Sequence, residues 1–384
     1  MMEIINKVKE AVNNSTFDVL MTLGVANIQY ISGVSAPILR NHDERPMAVI
    51  WPKGADPVLV APYDWKHTLA HTSRISKIES YDEEPSSFIS KIAEAIGSLK
   101  NVKTIGVDTI DVPVSIYYQI TKQFNNYETH SSDELLRNLR ITKTAPEIKL
   151  LEKIAYNLDH GIFGQAHHVL VRNPRTEMAL SEGIRVHCME RNLEVQGGIS
   201  GSQGVSGENA KKYWPQAPFY SFGKGRQMSP EEYVRLEARF SMDGYWSDGT
   251  RLLTMGLNTD EQQESYDTLV ALRKRAMQVI KPGVRCSEVF KEVIEESKRR
   301  NTTLVPETIL GHGIGVTINE SPYISASDDT ELAEGMVLVI EPKIVGPMGE
   351  ILFAKDTVVV TSEGCKIIGW YKNWDHPYTA AITF

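Results

Sequence analysis

The stretch Leu236-Glu-Ala-Arg-Phe-Ser-Met-Asp-Gly-Tyr-Trp-Ser-Asp-Gly-Thr-Arg251 decides the fold. Its centre, Met242-Asp-Gly-Tyr245, is hairpin chemistry, because an Asp-Gly turn matches the right-handed twist of the strands that it joins. The stretch therefore predicts two strands within residues 234–255. Asp248 lies on the outgoing strand, and Glu237 lies eleven positions earlier on the incoming one. The turn brings both carboxylates toward one end of one sheet.

Outward from this hairpin the same arrangement recurs. Residues 337–345 and 351–360 read as a second strand pair around Gly346-Pro-Met-Gly349, with Glu341 fourteen positions before Lys355. Helical patterns cover 260–279 and 287–299 between the two pairs, and 176–191 before the first. A further long helix should start near Thr142-Lys-Thr-Ala-Pro-Glu147 and run to about 170, because Thr144 and Glu147 form a capping box and Pro146 suits a first turn. The order helix pair, hairpin, helix pair, hairpin is an internal pseudo-repeat. His312 lies in Gly311-His-Gly-Ile-Gly315, where the glycines let the backbone approach a cavity closely. Two hairpins and this loop thus deliver three carboxylates, an imidazole and an ammonium to one place.

Before residue 142 the pattern changes to alternating strands and helices. Short β-rich runs cover 17–23, 28–31, 47–51, 58–61 and 104–107, and 86–99 has helical periodicity through Phe88, Ile89, Ile92, Ile96 and Leu99. The expected architecture is an α/β domain over 1–142 and an α+β domain over 143–384. A chain of 384 residues can bury a core in each. The formal net charge of −8 argues against a nucleic-acid or anionic-membrane partner. No apolar run reaches the ~20 residues of a membrane span, and the first residues have no apolar signal core. Three scattered cysteines, Cys188, Cys286 and Cys365, fit a reducing, cytoplasmic setting.

The motifs Tyr245-Trp-Ser-Asp-Gly-Thr-Arg251, Gly311-His-Gly-Ile-Gly315 and Gly335-Met-Val-Leu-Val-Ile-Glu-Pro342, in this order, resemble the pita-bread metallopeptidase family of aminopeptidase P, prolidase and creatinase. The resemblance implies a C-terminal domain with a curved antiparallel sheet and helix pairs, a homodimer, and a site at Glu237, Asp248, His312, Glu341 and Lys355. In metal-dependent members these five stations are acidic or imidazole ligands of two metal ions. Here the first is Glu237 with Arg239 at the family's glycine, and the last is Lys355. The family's catalytic histidine becomes Tyr213 in Ser206-Gly-Glu-Asn-Ala-Lys-Lys-Tyr213, and its His-Glu pair becomes Asn319-Glu320. The resemblance also implies that a loop arginine of the N-terminal domain, Arg40 or Arg45, meets a substrate carboxylate.

A protonated lysine has donors and no lone pair. At ~4 Å and an effective dielectric of ~20 it repels a unit charge by ~4 kcal/mol, and a divalent ion by twice that. The expectation is therefore no cofactor. A single Mn, Co or Zn ion at Glu237, Asp248, His312 and Glu341 is disfavoured. The reading that follows is a metal-independent hydrolase of a C–N bond in a small amino-acid-derived or guanidino substrate. The five stations would be catalytic, and Tyr213, Arg40, Arg45 and Asn319 would bind that substrate. Two alternatives stand beside it: an Xaa-Pro dipeptidase or aminopeptidase with a reduced metal site, and a non-catalytic protein that keeps the pocket to bind a ligand or partner.

Overall fold

The computed structural model describes residues 2–34, 45–82, 85–171, 176–195, 201–212, 226–305, 308–370 and 378–380. The chain divides into two compact units, Met1–Arg140 and Ile141–Phe384.

In the first unit the elements run α1 (Met2–Asn14), β1 (Val19–Thr22), α2 (Val25–Ser32), β2 (Ala48–Pro52), β3 (Val58–Pro62), α3 (Lys66–Thr72), β4 (Lys77–Tyr81), α4 (Pro85–Gly97), β5 (Thr104–Val107), α5 (Val114–Gln123), β6 (Glu128–Ser131) and α6 (Asp133–Ile141). The sheet order is β4-β3-β2-β1-β5-β6. It is mixed: β2 is antiparallel to both its neighbours and the remaining pairs are parallel. Val19, Met21, Ile50, Val60 and Ile105 pack against Phe88, Ile92 and Ile96 of α4 and Ile116 and Ile120 of α5. This is the α/β architecture expected, with one correction. The run 28–31 is helical, inside α2. Gly33 ends it in the left-handed region at φ 72°. Asp108 accepts the amides of Leu23 and Gly24 at its start, at 2.6 and 2.9 Å. Four apolar-rich residues cannot show a period, and these two end contacts decide the matter.

The second unit runs α7 (Ala145–Val171), α8 (Glu177–Met189), β7 (Gly201–Ser206), the short α9 (Gly207–Ala210), β8 (Tyr233–Met242), β9 (Tyr245–Met255), α10 (Asp260–Val279), α11 (Cys286–Arg299), β10 (Ile309–Gly313), β11 (Glu320–Ser325), β12 (Val337–Ile340), β13 (Lys343–Val345), β14 (Ile351–Phe353), β15 (Asp356–Val360), β16 (Cys365–Ile368) and β17 (Tyr378–Ala380). Thr176 caps α8 by accepting from Ala179, and Thr259 with Gln262 forms a full capping box on α10. Glu147 accepts the amide of Thr144 at 2.8 Å at the start of α7, which is the half of the expected box that forms. A side chain at Gly161 would strike Cys188, so this glycine sets how closely α7 and α8 pack.

Helix pairs and antiparallel strand pairings make up this unit, as the pseudo-repeat predicts, with β17 added in parallel at the edge of one sheet. The first hairpin turns through Asp243 and Gly244, both at positive φ (49° and 79°), the conformation that Asp-Gly favours. Its sheet is ordered β17-β9-β8-β7, and a second sheet is ordered β11-β10-β12-β15-β16. Leu269 and Leu272 of α10 and Val289 and Val293 of α11 cover Leu310, Leu338, Ile340 and Val358.

The second strand pair is not continuous. It breaks between β12 and β13 at Glu341-Pro342, and between β14 and β15 at Ala354-Lys355. Pro342 has no amide for a ladder. The amide of Glu341 turns to the oxygen of Leu310 at 2.9 Å, and that of Lys355 turns to Thr250 at 3.1 Å. Both breaks fall on residues singled out for chemistry. β10 pairs antiparallel with β12, placing His312 opposite Val339. A side chain at Gly311 would press into the carbonyl oxygen of Val339, which is backbone and cannot rotate away. Gly311→Ala should therefore destabilise the protein by about 1–3 kcal/mol in urea unfolding, and unchanged stability would show that β10 and β12 are farther apart than described.

Candidate active site

β8 and β9 pair so that Arg239 faces Asp248 and Glu237 faces Thr250. Side chains alternate along a strand, so Arg235, Glu237 and Arg239 share one face of β8. All three are buried, as is Asp248 at 1% exposure. Arg235 Nε lies 2.8 Å from Glu237, and Arg239 Nε lies 3.2 Å from Asp248 Oδ1. The other Asp248 oxygen receives Lys355 Nζ at 2.6 Å. Lys355 Nζ is also 3.2 Å from Glu341 Oε2, and Lys343 Nζ is 3.1 Å from the same oxygen.

His312 completes the cluster. Its Nδ1 donates to the oxygen of Gly313 at 2.9 Å. Nε2 then faces the carboxylates, 3.6 Å from Asp248 and 3.9 Å from Glu341. The ring of Phe353 forms the wall under the cations, with Arg235 Cζ at 4.9 Å from its centroid, Lys343 Nζ at 5.3 Å and Lys355 Nζ at 5.8 Å.

The structure thus brings Asp248, His312, Glu341 and Lys355 into one cluster, flanked by the Arg235–Glu237 pair. Asn319 does not join it by a described contact, and its main-chain oxygen accepts from Thr317 at 3.2 Å. Its neighbour Glu320 is held by the buried Lys143 at 2.8 Å. Arg45, in the first unit, pairs with Asp64 at 2.6 Å and lies over the ring of Trp65. Arg40 and Tyr213 lie outside the described residues.

Sequence reasoning predicted three carboxylates around one ammonium. Among the described residues the cluster holds Glu237, Asp248 and Glu341 against Arg235, Arg239, Lys343 and Lys355. The alternation of β8 carried the signal for Arg235 and Arg239, and the spacing of two from Glu341 carried it for Lys343. Burial would raise the Asp248 carboxyl, but Arg239 and then Lys355 outweigh it and hold it well below the ordinary range. Glu341 likewise falls to about 2, burial being outweighed by Lys355, then Lys343 and His312. Burial lowers the Lys343 ammonium, with Glu341 opposing.

Comparison with known proteins places this geometry. The model of metallopeptidase family M24 matches residues 152–362, and that of the creatinase/prolidase N-terminal domain matches residues 4–142. An Xaa-Pro dipeptidase of Pyrococcus horikoshii is 24% identical over 374 residues, covering 95% of this chain and 96% of that protein. The crystal structure of an X-Pro aminopeptidase from Thermotoga maritima superposes with a TM-score of 0.80 at 18% identity, covering 98% of this chain and 99% of that one. The prolidase structure from Pyrococcus horikoshii gives a TM-score of 0.77 at 22% identity, covering 97% and 99%.

These matches correct two expectations. The expectation of no cofactor is overturned, because the matching family is one of metallopeptidases. The leading expectation of a metal-independent, creatinase-like reaction is not supported either, since the curated relatives are named as Xaa-Pro dipeptidases. The side chains as placed do not fit a pair of divalent ions. Asp248 and Glu341 already hold the Lys355 ammonium, so a cation of the chain itself occupies the place between them. Among the described residues no three His, Cys, Asp or Glu side chains are arranged around a metal position.

A carboxylate whose folded pKa is depressed adds stability above its unfolded pKa, and that stability is lost as pH falls through the folded value. For Glu341, moving from 4.5 to about 2, this is on the order of 3 kcal/mol, lost below about pH 4.5. Lys355→Met leaves Asp248 with Arg239 and Glu341 with Lys343, so it should cost about 3 kcal/mol at pH 7, the low end for a broken buried pair. It should also start acid unfolding at a higher pH. Urea unfolding between pH 3 and pH 7 checks both, and a variant as stable as wild type at every pH would place Lys355 outside the cluster.

Proposed function

The chain belongs to metallopeptidase family M24 and is a C–N bond hydrolase, and we propose that its substrates are Xaa-Pro dipeptides or N-terminal Xaa-Pro segments, cleaved at a reduced metal site. The observation that carries this reading is the buried convergence of Asp248, Glu341 and His312 within 3.6–3.9 Å on the M24 scaffold. Full-length similarity to an Xaa-Pro dipeptidase supports the choice of substrate.

The chain's own residues divide the work as follows. Arg239 and Lys355 keep Asp248 ionised, and Lys343 and Lys355 do the same for Glu341, so both carboxylates stay anionic at neutral pH and can orient a water by accepting its hydrogen bonds. His312, its Nδ1 donating to Gly313, turns Nε2 toward both carboxylates, where it can take up a proton and pass it to the departing proline nitrogen. The excess of cations attracts the carboxylate at the C-terminal end of a dipeptide. The homodimer is part of this reading, and sedimentation measures it.

Wild-type protein incubated with an Xaa-Pro dipeptide panel and Mn, Co or Zn should release free proline, detected by mass spectrometry. Asp248→Asn should lower the rate at least about 100-fold. A folded wild type that cleaves nothing on the panel with any of the three metals would sink the proposal. Lys355→Glu restores an anionic ligand at the last station, so it should bind divalent metal more tightly than wild type in calorimetric titration. Equal or weaker binding would show that Lys355 does not compete with metal for Asp248 and Glu341.

A further inference from the structure

We propose that Arg251, anchored by Asp159, is a positioning residue that sets where the Lys355 ammonium lies. Lys355 sits in the two-residue gap between β14 and β15, outside both ladders. Consecutive residues of β9 grip its main chain. Its amide donates to Thr250 at 3.1 Å, and its carbonyl oxygen accepts from Nη1 of Arg251. The guanidinium is itself buried and fixed. Nη1 also donates to the oxygen of Thr250 at 3.0 Å, and Nη2 donates to Asp159 Oδ1 of α7 at 2.7 Å.

Asp159 is held from its other side. Its Oδ2 accepts the amide of Trp370 at 3.1 Å. A side chain at Gly369, at φ +125°, would come within 2.6 Å of that oxygen. The rings of the neighbouring His160 and of Trp370 lie 4.2 Å apart, tilted by 33°. An unbroken path therefore runs from Trp370 through Asp159 and Arg251 to the backbone of Lys355.

The path matters because a lysine side chain is flexible. Four rotatable bonds separate Cα from Nζ, so the 2.6 and 3.2 Å contacts of Nζ hold together only while the main chain starts from one place. A displacement of about 1 Å at such a site is enough to cost about 100-fold in rate. Arg273 of α10 supplies the internal comparison. It is as buried as Arg251, and its Nε pairs with Asp356, the next residue, at 3.2 Å. Arg251 Nη1 also lies 3.9 Å from Asp356 Oδ1, so both arginines reach that side chain of β15, but Arg251 alone of the two also holds the main chain of Lys355. Losing either arginine strands a buried carboxylate, but only Arg251 should move Nζ.

The catalytic consequence rests on the dipeptidase reading, whereas the placement of Nζ does not. Lysine-selective 15N labelling of the full chain reads buried ammonium groups directly, and Lys355→Met identifies the signal of Lys355. In Arg251→Met that signal should shift or broaden into solvent exchange, while the signal of Lys143, paired with Glu320, stays. In Arg273→Met the Lys355 signal should stay, even with a comparable loss of stability. Asp159→Asn, which keeps the side chain's size, should reproduce the Arg251 effect in part, and it serves as the test if Arg251→Met does not fold. On an Xaa-Pro dipeptide, Arg251→Met should lower kcat about 100-fold with KM changed less than about threefold, and Arg273→Met should be close to wild type. An unmoved Lys355 signal in both Arg251→Met and Asp159→Asn, or an equal change in Arg273→Met, overturns the proposal. A wild type inactive on dipeptides removes the substrate reading alone, and the labelling still decides the positioning.

Discussion

The contact between Lys355 and Asp248 organises everything around it. Two opposite charges at 2.6 Å, each almost wholly withdrawn from water, are stable only together. Each ion leaves water at a cost of several kcal/mol, and either partner alone would be stranded. Asp248 spends one oxygen on Lys355 and the other on Arg239, and Glu341 is shared by Lys355 and Lys343. The carboxylates of the cluster are thus kept ionised by cations that belong to the chain. The cost is borne by the fold, which must supply enough surrounding contacts to hold four cations and three carboxylates out of solvent.

Two hairpins meet that demand in different ways. The first is a regular ladder, and regularity is what it contributes: alternation along β8 puts Arg235, Glu237 and Arg239 on one face, opposite Asp248 on β9. The second is interrupted, and the interruptions are its contribution. Pro342 ends the ladder beside Glu341, and the gap at Ala354-Lys355 frees a main chain that β9 then captures. A continuous strand pair would have aligned both residues with their ladder neighbours. The break lets Lys355 cross to the other sheet, where the Thr250–Lys355 bridge joins the two halves of the pseudo-repeat.

Much of this was legible in the sequence. The Asp-Gly turn, the helices over 260–279 and 287–299, and the long helix after Thr144 follow from local signals strong enough to stand alone. The edge strands β4 and β6 gave no such signal. β6 is exposed throughout and β4 is mostly half-buried, both are rich in polar residues, which is how sheet edges avoid pairing with other chains, and a polar run carries no apolar alternation to read. The run 28–31 reads as a strand from its β-rich letters and is a helix in the fold: four residues hold no period, and Asp108, some eighty positions away, accepts the amides at the helix start. In the cluster, spacing and order located Asp248, His312, Glu341 and Lys355. The partners Arg235, Arg239 and Lys343 needed the strand alternation to be applied to charges as well as to apolar residues.

That difference in what was legible decides how the metal question is framed. Viewed as letters, Lys355 is one lost ligand in a family of metallopeptidases. Viewed in place, it is one of four buried cations, and it rests on the same two carboxylates that a divalent ion at this site would be drawn to. At about 4 Å and an effective dielectric of about 20, a divalent ion and an ammonium repel by about 8 kcal/mol. Arg239 on Asp248 and Lys343 on Glu341 add to this. Metal and ammonium therefore compete for Asp248 and Glu341 instead of sitting side by side on them. Family membership and local charge act on the same two carboxylates in opposite directions, and the balance between them turns on where the lysine chain starts. That point is set by Thr250 and Arg251 on the other hairpin, so the charge balance of this cluster is tied to the packing of β9 against the gap as closely as to the carboxylates themselves.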